Sequence, residues 1–246
     1  MAGLTSSGPN VDVSLLYRIN GASLQAPDWL DRTVGLAGAY GIPLALVLLV
    51  LWCWRGARRQ DEATAVESFA ALVWAPLAAA LALLVNVPLR EFVGRPRPFL
   101  EHDGLNVLDA GLGDRLGAEF GNTQFSFVSD HATLAMALGV GLFVANRRIG
   151  LVGIALAVAE GACRVYMGVH YPTDVIGGFA LGTAVVLVLA PLTMALLNPV
   201  VLAVARAPRL GRLVRAKERM LPRPVGLAQA PNPAGEQRPQ ESDLAA

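Results

Sequence analysis

Residues 33–54 and 68–89 each run without a single charged side chain. A helix needs about 20 apolar residues to cross roughly 30 Å of hydrocarbon. Both runs therefore predict membrane-spanning helices. Three further apolar stretches follow at 132–145, 149–163 and 175–205. The second of these carries Glu160, and the third contains Pro191 and Asn198-Pro199 as kinks or a helix end. The composition agrees, with 54% hydrophobic and only 16% charged residues and a mean hydropathy of +0.49, whereas soluble domains carry about 25% charge. A water-soluble globule is excluded. A net charge of +1 leaves no electrostatic footprint for nucleic acid. Cys53 and Cys163 both lie in apolar runs, which implies neither a disulfide scaffold nor a zinc cluster.

The expected fold is an all-α integral membrane protein, a bundle of about five transmembrane helices. A short amphipathic helix at 11–22 precedes it, too short to span and suited to the membrane interface. The expected division is 1–32 for this interfacial segment, 33–205 for the membrane domain, and 206–246 for a basic juxtamembrane stretch with a disordered tail. No basic region followed by an apolar core marks a cleavable signal peptide. Arg55, Arg58 and Arg59 follow span one, Arg147 and Arg148 join spans three and four, and a run from Arg206 to Arg219 follows span five. Five spans put these segments on one side, which the distribution of positive charge assigns to the cytoplasm. The loops 90–129 and 164–174 then lie outside.

Chemistry-bearing residues gather where those outer loops meet the spans. Spans three and four are short, so their polar ends sit at or just beneath the membrane surface, a costly place unless they are paired or bound to a ligand. Guanidinium groups pair bidentately with phosphate oxygens. A lone arginine at a helix end often only snorkels, but Arg90, Arg97 and Arg164 share one side, each near a histidine or serine. That grouping favours an anion site. Ser129 is a good helix N-cap, and the free amides behind it suit a phosphate. Capping alone does not explain His131, which follows Asp130 at the mouth of a membrane helix. Arg164, His170 and Asp174 form R-x5-H-x3-D, with Pro172 in the first turn of span five. A carboxylate bonded to one imidazole nitrogen fixes the tautomer and leaves the other as nucleophile; the competing reading is a His-Asp pair that merely holds a loop. His102 reads as a loop residue. Glu160, four residues before Arg164, reads as its supporting ion-pair partner.

Together these motifs resemble the three-part signature of the type-2 phosphatidic-acid phosphatase superfamily. The family's K-x6-R-P corresponds to Arg90 with Arg97-Pro98; the alternative register through Arg95-Pro96 would put Pro88 at the basic position. Lys217 is the only lysine in the chain, so arginine at 90 follows its composition. The family's P-S-G-H corresponds to Val128-Ser129-Asp130-His131, and S-R-x5-H-x3-D to the segment from Cys163 through Arg164 and His170 to Asp174. The S-D-H form and the Ile19-Asn20-Gly21 segment resemble undecaprenyl-pyrophosphate phosphatases of the bacitracin-resistance type.

The resemblance implies a metal-independent phosphohydrolase with no cofactor. His170 would attack phosphorus, Asp174 would orient it, and His131 would protonate the leaving group and then activate water. Arg90, Arg97, Ser129, Asp130 and Arg164 would hold the phosphoryl group. The implied partners are the bilayer and a lipid pyrophosphate, first undecaprenyl pyrophosphate, released as undecaprenyl phosphate. Alternatives are phosphatidic acid, phosphatidylglycerophosphate or diacylglycerol pyrophosphate as substrate, or a lipid-phosphate transporter that only binds. A transporter would not need His131, His170 and Asp174 together.

Overall fold

The computed structural model describes residues 10–108, 124–207 and 211–214. Helix α1 (Val11–Asn20) begins at Asn10, whose side chain accepts a hydrogen bond from the Asp12 amide. A 3-10 turn at Ser23–Gln25 leads into α2 (Asp28–Ala57), which passes through a π-helical turn at Ala37–Gly41. Asp28 and Asp31 in its first turn suit the positive end of the helix dipole. Helix α3 (Glu62–Val93) is capped by Asp61 and stops at Gly94. Gly94 has a φ of 60°, the left-handed geometry that glycine adopts without a Cβ clash. A single turn, α4 (Pro98–Glu101), follows. Then come α5 (Asp130–Ala145), α6 (Arg147–Tyr166), α7 (Pro172–Arg206) and the one-turn α8 (Gly211–Val214). Asn146 ends α5 and caps α6, its side chain accepting from the amides of Arg148 and Ile149, so the two helices turn back on each other with one residue between them.

Among the described residues four helices, α2, α3, α6 and α7, are long and apolar enough to cross a membrane, and α5 is a shorter apolar helix. The five expected spans are these five elements; span three is short as expected, whereas span four, expected to be short, is the 20-residue α6, long enough to cross. The shortness of span three follows from its place. Helix α5 packs against α3, α6 and α7 and is buried through most of the stretch from Ala132 to Leu142. A helix apolar all round belongs in an interior. Between membrane helices, close approach needs small residues: a Cβ on Gly139 would stand 2.8 Å from the Gly153 carbonyl carbon. The large side chains left exposed, such as Leu48 and Trp52 on α2 and Val188 and Leu192 on α7, fit lipid contact. The polar N-terminus of α5 is thereby held inside the bundle at one end, and the candidate site forms there.

The first span begins at Asp28, ahead of the expected 33. Helix α1 docks onto the site end of the bundle. Leu16 is fully buried among Ala132, Val165, Tyr171 and Val175. Asn20 donates to the carbonyls of Asn106 (2.9 Å) and Tyr166 (2.7 Å) and accepts from the Asn106 amide (2.9 Å). Of the expected 206–246 stretch, residues 208–210 and 215–246 lie outside the described residues, as do residues 109–123 of the long loop.

Candidate active site

Three stretches that are far apart in sequence meet beside the N-terminus of α5. The segment after α3 bridges to the one before α5, with the Ser126 amide donating to the Arg95 carbonyl (2.8 Å) and the Arg97 amide to the Gln124 carbonyl (3.1 Å). The Ser129 amide donates to the Asp174 carbonyl (3.1 Å), which joins the starts of α5 and α7. Helix α7 comes this close because Gly178 is small: a Cβ there would lie 2.9 Å from the Ser129 carbonyl oxygen.

His170 is buried at 2% exposure, and its Nδ1 lies 3.0 Å from the Ser126 carbonyl oxygen. A carbonyl can only accept, so this contact requires the proton on Nδ1 when the ring is neutral. Nε2 then carries the lone pair. The sequence assigned this tautomer-fixing role to Asp174. Asp174 instead stands 3.7 Å from Nδ1, because its oxygens are engaged elsewhere: Oδ2 accepts from the Tyr171 amide (2.9 Å) and Oδ1 from Arg95 Nη1 (3.1 Å). That separation is an ion-pair distance once the ring carries a second proton.

Arg90, on the last turns of α3, is 2% exposed. Its Nη2 contacts Asp130 Oδ1 (2.5 Å) and donates to the Val128 carbonyl (3.1 Å). Asn86, one turn earlier and fully buried, donates to the Val128 carbonyl (2.9 Å) and to Asp130 Oδ1 (2.6 Å), and accepts from the Val128 amide (3.3 Å). Asp130 therefore accepts from Arg90 and Asn86 and orients the guanidinium. Arg90 Nε is buried with no hydrogen-bond partner among the described residues. A buried unsatisfied donor costs about 1–3 kcal/mol, which an anion at this point would recover.

Ser129 caps α5, its Oγ 3.5 Å from the Ala132 amide. His131 is the second residue of α5 and half-buried. Arg97, at 7% exposure, precedes the single turn α4. Arg164 is fully buried; its Nε pairs with Glu160 (2.8 Å), the expected i,i+4 partner, and its Nη2 donates to the Gly38 carbonyl at the π turn of α2 (2.8 Å). His102 has more company than a plain loop residue, lying edge-on between Tyr17 and Tyr171 with ring centroids 6.0 and 5.9 Å away. Burial and the carboxylate of Glu101 hold the Tyr171 phenol above its usual range, so it serves as a neutral donor to Glu101 (3.2 Å).

Sequence reasoning missed Asn86, Ser126, Asp12 and the role of Arg95. Asn86 left a signal, being the lone amide in the 68–89 run and four residues before Arg90, on the same helix face. Ser126 left none, since it acts through its backbone.

The model of the PAP2 superfamily matches residues 71–196, an interval that contains every expected site residue. The chain belongs to the PAP2 superfamily. As a member it is a lipid phosphatase that crosses the membrane several times. The protein YbjG of Escherichia coli (strain K12) is 29% identical over 174 residues, covering 70% of this chain and 78% of its own. Undecaprenyl-diphosphatase BcrC of Bacillus subtilis (strain 168) is 27% identical over 149 residues, 60% of this chain and 67% of its own. Among solved structures, LpxE of Aquifex aeolicus shares the fold at a TM-score of 0.53 and 19% identity, over 77% of this chain and 99% of that one.

Proposed function

We propose that this PAP2 phosphatase removes the terminal phosphate of undecaprenyl pyrophosphate at the outer face of the cell membrane, through a phosphohistidine on His170. The observation that carries the reading is the buried imidazole whose Nδ1 faces the Ser126 carbonyl at 3.0 Å, which leaves the lone pair on Nε2, with Ser126 three residues before the N-cap of α5. The names of the relatives support the choice of a lipid pyrophosphate.

In the first step the Nε2 lone pair attacks the terminal phosphorus. The bond from phosphorus to the bridging oxygen breaks, and His131 gives that oxygen a proton as undecaprenyl phosphate leaves. Asp174, 3.7 Å from Nδ1, stabilises the cationic ring. Arg90, Arg97, Arg164, Ser129 and the first amides of α5 take the phosphoryl oxygens, whose charge grows in the transition state. Asp130 holds Arg90 in line. In the second step His131 takes a proton from water, whose oxygen attacks phosphorus. The N–P bond breaks, its electrons return to Nε2, and inorganic phosphate departs. Neither step calls for a metal ion or a cofactor.

The test is phosphate release by the purified protein in EDTA, across undecaprenyl pyrophosphate, phosphatidic acid, phosphatidylglycerophosphate and diacylglycerol pyrophosphate. Fastest release from undecaprenyl pyrophosphate, and none from folded His170→Ala, is the expected result. A preference for a monoester would overturn the substrate. Turnover by His170→Ala beyond a few per cent would overturn the nucleophile. Activity lost in EDTA and restored by magnesium would overturn the metal-independent mechanism.

A further inference from the structure

Arg95 stands between the two arginines of the first motif and occupies neither of the motif's basic positions in the register that fits. Its surroundings are nonetheless those of the catalytic pair. Nη1 donates to Thr173 Oγ1 (2.7 Å) and to Asp174 Oδ1 (3.1 Å), and Nη2 to Asp12 Oδ2 (2.6 Å). The guanidinium carbon lies 3.6 Å from the centroid of the Tyr171 ring. Asp12, on α1, also accepts from the Thr173 amide (3.0 Å) and hydroxyl (2.6 Å).

Two carboxylates, Asp12 and Asp174, thus meet at the N-terminus of α7 and share one cation. The helix amides favour negative charge there, but two carboxylates this close repel unless something stands between them. Arg95 is that group. It also fixes one oxygen of Asp174, and so the angle at which that carboxylate faces His170.

We propose that Arg95, braced by Asp12 from α1, is a positioning residue of the phosphatase site. It holds Asp174 at its distance from His170 and leaves the Ser126 carbonyl as the hydrogen-bond partner of Nδ1. The proposal rests on the reading of His170 and Asp174 as the catalytic pair. Without Arg95 the second carboxylate is uncompensated, Asp174 turns, and the charge that develops on the ring is stabilised less well. That interaction strengthens on the way to the transition state, so its loss lowers kcat and not substrate binding. A misplacement of about 1 Å can cost up to ~100-fold in rate.

Arg95→Ala, Arg95→Lys, Asp12→Asn, the double variant Arg95→Ala/Asp12→Asn and His170→Ala are assayed with undecaprenyl pyrophosphate in detergent, with a thermal melt for each. Arg95→Ala is expected to lose about 10- to 100-fold in kcat with KM within about twofold. Arg95→Lys should restore part of the loss, Asp12→Asn should lose less, and the double variant should be no worse than Arg95→Ala. Full kcat in folded Arg95→Ala overturns the proposal, and so does a loss confined to KM, which would make Arg95 a phosphate ligand. If Arg95→Ala does not fold, the same two readouts on Arg95→Lys and Asp12→Asn decide. Activity in His170→Ala overturns the underlying reading instead, so the two failures are distinct.

Discussion

Asn86 shows how one side chain can set a site it does not enter. Its amide grips both the N–H and the carbonyl of Val128 and one oxygen of Asp130, so the turn into α5 and the partner of Arg90 are fixed from within a membrane helix. Asn86→Leu keeps the bulk and removes all three bonds. The Val128 amide is then left buried without its partner, at a cost of about 1–3 kcal/mol. The expected outcome is a lower melting temperature in detergent together with a raised KM, since Arg90 loses its alignment toward the phosphate. A fall in melting temperature with KM unchanged would reduce Asn86 to a purely structural residue. His170, Asp174, Ser129 and the arginines were legible because their chemistry lies in their side chains and their spacing is fixed. The Ser126 carbonyl was not, since any residue at 126 presents the same backbone oxygen. Arg95 was legible as an arginine but not as a partner of Asp174, because its role depends on α1, whose docking no spacing records.

Among the elements, α1 and α7 are joined by a seam that titrates. Burial pushes the Asp12 carboxyl up, but the bonds from Thr173 and Arg95 outweigh it and hold the group below its ordinary value. A carboxyl with a lowered folded pKa adds stability above its unfolded value, about 3.9, and loses that contribution as pH falls through the folded value. Melts of the wild type and Asp12→Asn should therefore differ most near neutral pH. The gap should begin to narrow below about pH 4 and close as pH falls through the lower folded value, where the wild-type carboxyl becomes protonated. A gap of constant size across that range would show that the Asp12 charge plays no part in the seam. The spans themselves were readable from uncharged runs, because lipid admits few charges. The burial of α5 at the centre was not readable. It depends on small residues such as Gly139 and Gly178 meeting particular backbones on other helices, and composition does not say which helix a glycine faces.

At the scale of the whole molecule, helix direction decides the distribution of charge. The ends of α2, α5 and α7 and the starts of α3 and α6 share the end opposite the site, and they carry Arg55, Arg58, Arg59, Arg147, Arg148 and Arg206. At the site end Arg90, Arg95 and Arg164 lie in ion pairs within the fold, while Arg18 and Arg32 are exposed. Orientation follows arginine in short loops beside the spans, so the proposed topology puts the arginine-rich end in the cytoplasm and the site outside. Two exposed positions separate the alternatives: Val107 at the site end and Glu62 at the other. With Cys53 and Cys163 replaced by alanine, Val107→Cys should react with an impermeant maleimide in intact cells, and Glu62→Cys only after lysis. The reverse pattern would turn the phosphatase site toward the cytoplasm. The lipid diphosphate it meets would then have to be presented on the inner leaflet, while the chemistry at His170 would stand unchanged.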